Sequence, residues 1–253
     1  MSIIETKNLS KVYGDNRDNT VYAVNDISLA IEQGEFAAVM GPSGSGKSTF
    51  LSMLSGILSA SSGQILIEGE NICELNKSKM AKFRREKLGF VFQEFNLLDN
   101  LTVRENIILP MVWTDKSKEE MREIADHLMN QFGIYPCADK YPYEISGGQM
   151  QRTAVSRALV NQPSILFADE PTGNLDSKSS HAVMECFAEI NEKLNTTILM
   201  VTHDVFAASF CKHVIFIKDG KVNMDIIRKG SRKEFFDQIL DCQAIVGGDS
   251  NEL

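Results

Sequence analysis

The 253 residues include 34 acidic and 26 basic side chains, a formal net charge of −8. That balance excludes a general nucleic-acid binder, which needs a basic face. No apolar run approaches the roughly 18 residues that span a bilayer, while 43% hydrophobic and 24% charged residues are the make-up of a folded domain. Met1–Lys7 has neither the apolar core nor the cleavage site of a secretory leader, so the chain is expected in the cytoplasm. The five cysteines, Cys73, Cys137, Cys186, Cys211 and Cys242, are scattered and form no Cys-x-x-Cys. They are expected to be reduced and mostly buried.

In chain order, strand patterns run over Ile3–Leu9, Ile27–Ile31 and Phe36–Met40, with a polar loop at Gly14–Thr20. A helix pattern at Lys47–Leu58 precedes a strand at Gln64–Glu68, a helix at Lys77–Glu86 and a strand at Leu88–Phe92. Then the pattern becomes helical: Thr102–Val112, Lys118–Phe132 and Gly147–Asn161. Strands return at Ile165–Asp169, Thr197–Thr202, Val214–Lys218 and Lys221–Met224, with helices at Ser177–Leu194 and Val205–Phe210 between them. Several strands are unbroken Val/Ile-rich runs, the mark of burial on both faces. The expected fold is therefore α/β with a mostly parallel core sheet and a helical subdomain, about residues 96–161, inserted between its strands. Beyond it, Phe235, Phe236, Ile239 and Leu240 recur at helical spacing, and Gly247-Gly248 opens a tail.

Two strand ends carry chemistry. After Phe36–Met40 comes Gly41-Pro42-Ser43-Gly44-Ser45-Gly46-Lys47-Ser48-Thr49, which fits Gly-x-x-x-x-Gly-Lys-Ser/Thr. Glycines let the backbone wrap a phosphate and aim successive N–H groups at it. Lys47 adds a point charge for the terminal phosphates, Ser48 a hydroxyl for Mg²⁺, and the helix start further positive potential. Because these donors are local, a net charge of −8 does not oppose them. The second strand, Ile165–Asp169, ends in Asp169-Glu170. Asp169 suits orientation of a metal ion through a coordinated water, and Glu170 suits orientation of an attacking water or removal of its proton.

Ile145-Ser146-Gly147-Gly148-Gln149, just before a helix pattern, completes the set. With the two preceding motifs it resembles the signature of the ATP-binding subunits of ABC transporters, with Ile where Leu is usual. The resemblance covers about Ile3 to Lys221. It implies a P-loop (RecA-like) core sheet with an antiparallel β subdomain, and an ATPase domain over residues 1–225 followed by a C-terminal extension, 226–253. It implies ATP and Mg²⁺ as cofactors, with Ser146, Gly147, Gly148 and Gln149 reaching the phosphate held by a second copy, head to tail. Tyr13 resembles the aromatic residue that stacks on adenine, with Tyr22 as its rival. Gln93, in Val91-Phe92-Gln93-Glu94, resembles the glutamine that reaches metal and attacking water. Asp176, in Leu175-Asp176, resembles the segment that crosses the dimer interface. His203 resembles the switch histidine at the γ-phosphate. His127, His181 and His213 match no motif and are read as ordinary.

Phe92–Asn106 resembles the branch whose permeases work mechanically, among them lipoprotein-release, macrolide/toxin-export and antimicrobial-peptide resistance systems. Leu97-Leu98-Asp99, Val214–Gly220 and the tail most resemble the Bce-type (bacitracin-type) ATPases. The implied partners are a second copy, an integral-membrane permease and, through it, a sensor kinase. The implied place is the cytoplasmic face of the plasma membrane. The permease helix is expected around Phe95–Trp113. Readings of other kinds explain less. A nucleotide-controlled structural or signalling module does not need Glu170 and His203. A phosphate-loop kinase leaves Ser146–Gln149 without a purpose. ABC proteins of DNA repair need a coiled-coil insertion, and those of translation usually two cassettes.

Overall fold

The computed structural model describes residues 1–14 and 20–247. Most of the Gly14–Thr20 loop and the tail beyond Gly247 lie outside the described residues. In chain order the elements are β1 (Ser2–Tyr13), β2 (Val21–Glu32), β3 (Phe36–Met40), α1 (Lys47–Leu54), β4 (Ser62–Ile67), β5 (Glu70–Asn71), α2 (Lys77–Lys87), β6 (Leu88–Val91) and α3 (Val103–Ile108). There follow α4 (Lys118–Gln131), α5 (Gly147–Leu159), β7 (Ile165–Asp169), α6 (Ser177–Leu194), β8 (Thr197–Val201), α7 (Val205–Ala208), β9 (His213–Lys218), β10 (Lys221–Ile227) and α8 (Arg232–Gly247). They fall into two compact units, Met1–Met80 with Thr197–Leu253, and Ala81–Thr196.

The first unit holds an antiparallel sheet ordered β2-β1-β4-β5 and the strand run β10-β9-β3-β8. β3 lies parallel to both β8 and β9. Every residue of β3 and of β8 is buried, which is why both read as unbroken apolar runs. β1 and β2 are longer than the sequence pattern suggests. Their ladder slips between Thr6 and Leu9, where Asn8 and, across from it, Asp26 take φ near +50° and the Asn8 amide donates to the Asp26 carboxylate at 2.8 Å. The bulge breaks the alternation on which strand patterning depends. α8 buries Phe235, Ile239, Cys242 and Val246; Leu240 is half exposed.

In the second unit β6 and β7 pair in parallel, and the chain between them is helical. The expected helix Thr102–Val112 ends early. α3 stops at Ile108 and gives way to a 3₁₀ turn, Leu109–Trp113, because Pro110 has no N–H to continue the ladder. Trp113 is 65% exposed on that turn. Likewise α1 stops at Leu54 and not at Leu58, with Gly56 left-handed just beyond it. Cys137, Cys211 and Cys242 are buried, Cys186 is partly so, and Cys73 is exposed, all as free thiols. Burial pushes the Cys186 thiol up to about 11. Among the described residues, no helix is long and apolar enough to cross a membrane.

His213, which matches no motif, forms a structural ion pair. Its Nδ1 lies 2.8 Å from Glu35 Oε1 and its Nε2 3.5 Å from Asp225 Oδ2. The Glu35 hydrogen bond raises the His213 pKa against the opposing effect of burial. Burial by itself raises that of Glu35, but the hydrogen bonds from His213 and the Glu32 N–H, with the charge of His213, bring the net shift downward. The histidine's contribution to stability is present below its ordinary value and is lost as pH rises through its raised value. The glutamate's is present above its ordinary value and is lost as pH falls through its lowered one. The window of greatest benefit lies between them. His213→Gln is expected to cost about 1 kcal/mol near pH 6 and distinctly less near pH 9, read as the difference in denaturant midpoint between the two proteins at each pH.

Candidate functional site

In the first unit, the chain leaves β3 and turns into α1 through the 41–47 loop. α3, α4, α5, α6 and α7 each begin with a side chain that accepts from their first turn. α1 does not: its cap is Gly46, left-handed at φ 99°, with no side-chain bond to the helix start. Amides left free at a helix start bind anions. The Lys47 ammonium is folded back onto Gly41 O at 3.0 Å and Pro42 O at 2.8 Å, and the residue is only 8% exposed. It is thus held against the loop by two carbonyls, beside a helix start without a side-chain cap, an arrangement that suits a polyphosphate.

The loop's shape is enforced from outside. A side chain on Gly46 would run into Ala23 O of β2, and one on Gly41 into Ile217 O of β9. Asp219 and Gly220, both at positive φ, make the two-residue turn between β9 and β10. The Gly220 N–H donates to Ser45 O at 3.1 Å, and Gly220 O accepts from Asn25 N at 2.8 Å. This turn, which the sequence motifs do not include, buttresses the loop. Ser48 and Thr49 open α1. Tyr13 (45% exposed) and Tyr22 (54%) end the β1–β2 ribbon, with the Lys11 ammonium 5.3 Å from the Tyr13 ring centre. His203 follows β8; its carbonyl accepts from the Gln243 amide of α8 at 3.4 Å.

In the second unit, Asp169 ends β7 and Glu170 follows it. Glu170 has φ 47°, a conformation costly for a non-glycine residue and common at functional sites. Gly173 N donates to Glu170 O at 3.0 Å. The next residues grip Gln93: Asn174 donates to Gln93 O at 3.1 Å, and a Cβ on Gly173 would stand 2.9 Å from Gln93 Nε2. The glutamine and the carboxylate strand are thus tied together. Ser146 caps α5, and Gln149 reaches back, its Oε1 accepting from Ser146 N at 2.9 Å. The Ser146 hydroxyl accepts from Gln149 N at 3.4 Å, a long bond. Gly147 and Gly148 keep the helix start free of side chains beside Asn174–Leu175 and Ser179. Asp176 uses its carboxylate on its own helix, accepting from Lys178 N, Ser179 N and Ser179 Oγ. The Ser179 bonds hold its pKa down.

Ser48 in the first unit, and Asp169 and Gln93 in the second, each carry a hard oxygen, the ligand type that suits Mg²⁺. Asn174 and Gly220 escaped the sequence reading as site residues, and only the loop conformations explain them. Gly46→Ala is expected to lower ATP affinity by at least about tenfold, because its methyl displaces the loop from Ala23. Titration with a fluorescent ATP analogue measures this.

A profile of the ABC transporter family matches residues 24–173. The ABC transporter ATP-binding protein YxdL of Bacillus subtilis is 47% identical over 252 residues, covering 100% of this chain and 97% of that protein. The bacitracin export ATP-binding protein BceA of Halalkalibacterium halodurans is 47% identical over 254 residues, covering 100% of each. Among solved structures, a dimeric post-hydrolysis state of the ATP-binding cassette MJ0796, bound to ADP and Pi, superposes with a TM-score of 0.83 at 38% identity. That match covers 90% of this chain and 99% of the cassette. With the uncapped phosphate loop, the strand-end carboxylates and the Ser146–Gln149 helix start in place, the chain belongs to the ABC transporter family, as one of its ATP-hydrolysing ATP-binding subunits.

Proposed function

We propose that the chain drives a membrane permease that protects against, or senses, cell-wall-targeting antimicrobial peptides of the bacitracin kind. The end-to-end match to a bacitracin export ATP-binding protein carries this reading. The chain works at the cytoplasmic face of the plasma membrane, held there by the permease, and a sensor kinase joins through the same permease. Residues 1–225 form the catalytic domain, 96–161 its helical insertion and 226–253 an extension.

Two copies pair head to tail around two ATP molecules. In each copy the 41–47 amides and Lys47 hold the phosphates, and Tyr13 stacks on adenine. Ser146, Gly147, Gly148 and Gln149 of the other copy close over the γ-phosphate, with Asp176 crossing between copies. Mg²⁺, when bound by Ser48, Asp169 and Gln93, supplies charge neutralisation for the phosphates. Glu170 orients water for in-line attack, and His203 holds the γ-phosphate geometry. Loss of the bridging phosphate loosens the pair. Within the second unit, a cleft of about 260 Å³ lined by Phe90, Phe92, Asn96, Pro110, Arg157 and Asn161 receives a cytoplasmic helix of the permease.

Glu170→Gln is expected to keep ATP binding while slowing hydrolysis by about a hundredfold or more. With ATP it shifts from monomer to dimer on size exclusion; no ATP-dependent shift counts against the sandwich. Ser146→Arg is expected to spare ATP binding and block turnover in a phosphate-release assay. Loss of both together would mean that the signature serves its own chain's nucleotide.

A further inference from the structure

Arg157 has no part in the chemistry above, yet its surroundings are unusual. It lies on α5, the helix that starts at Ser146–Gln149. One guanidinium nitrogen donates to Asn96 O at 2.5 Å and the other to Phe95 O at 2.8 Å. Phe95 and Asn96 both sit at positive φ, 58° and 49°. Two successive left-handed non-glycine residues cost free energy, and such a loop persists only where its surroundings hold it. Burial lowers the Arg157 pKa, yet a guanidinium stays charged. Among the described residues no carboxylate pairs with it. A half-buried cation spent on two neutral carbonyls is a costly arrangement, and here it fastens one specific loop to one specific helix.

That loop and that helix are the two walls that matter. Phe92, Asn96, Pro110, Arg157 and Asn161 line the same cleft. Asn161 of the segment after α5 adds bonds to Arg85 O at 3.2 Å and Pro110 O at 3.3 Å. At the far end of α5, about 15 Å away along the axis, a Cβ on Gly147 would stand 3.9 Å from the Phe95 ring. The loop is therefore bonded to α5 at Arg157 and lies close to its start at Gly147.

We propose that Arg157 is the positioning residue that couples the cleft to the Ser146–Gln149 turn, by locking the 95–96 loop to α5 so that both shift as one body. This rests on the reading of the cleft as the permease site. A helix pressing on the cleft then moves the signature turn with it, and the approach of a second copy's phosphate to that turn moves the cleft in return.

The test compares turnover per chain in the native membrane complex, isolated through a tag on this chain, with that of the purified chain alone. Arg157→Met is expected to co-purify with the permease in full, while its complex-to-free turnover ratio falls roughly five- to thirtyfold below the wild type. Arg157→Lys, able to keep one of the two carbonyl bonds, falls between. A purely structural role lowers both rates together and leaves the ratio intact. A wild-type ratio of about one, an unchanged ratio in Arg157→Met, or loss of co-purification overturns the proposal. Should Arg157→Met fail to fold, Arg157→Lys carries the same comparison, and an unchanged ratio there overturns it too. Pro110→Asp, which puts a charge into the cleft, tests the underlying reading separately: full co-purification of that variant sinks the cleft assignment whatever Arg157 does.

Discussion

Between Met40 and Lys47 the backbone must pass Ala23 O and Ile217 O at distances that leave no volume for a side chain. Much of the first unit answers to that constraint. β2 continues well past its apolar segment so that Ala23 reaches the loop. β9 supplies the second wall at Ile217, one residue before its end. The Asp219-Gly220 turn then closes the frame by hydrogen bonding to Ser45 and Asn25. These walls and bonds fix the loop's path, and with it the direction of the amides at the start of α1. Pre-aimed dipoles cost no reorganisation when charge moves.

The contrast among helix starts carries the same logic into the second unit. Thr102, Ser117, Ser146, Asp176 and Asp204 spend their side chains on capping. Gly46 does not. Ser146 stands between these cases, since its cap is long and its two following glycines leave the helix start bare. Asp176 is the opposite extreme, with three donors on one carboxylate; what it offers a neighbour is a firmly shaped backbone more than a free acid. The net charge of −8 is thus irrelevant to a site built from amides, one lysine and a few oxygens.

Much of this was legible in the sequence because it depends on local spacing. Gly41–Ser48, Asp169-Glu170 and Ser146–Gln149 are contiguous strings at element boundaries, and the apolar runs of β3, β7 and β8 announce burial directly. The lost parts depend on contacts between distant segments. The bulge at Asn8 and Asp26 hid half of β1 and β2. Pro110 sits inside a sound helical pattern and still ends it. His213 matched no motif, and only folding sets it beside Glu35 and Asp225. Arg157 reads as an ordinary helix-surface residue until the 95–96 loop folds against it.

Trp113 is the single tryptophan of the chain. It stands largely in water three residues after Pro110, on the turn that Pro110 imposes. An indole in water emits at longer wavelength than one covered by protein. The chain therefore carries one indole label, three residues from the Pro110 of the cleft lining and far in sequence from the phosphate loop. Covering of that surface by another helix would be visible as a change of colour without any dye.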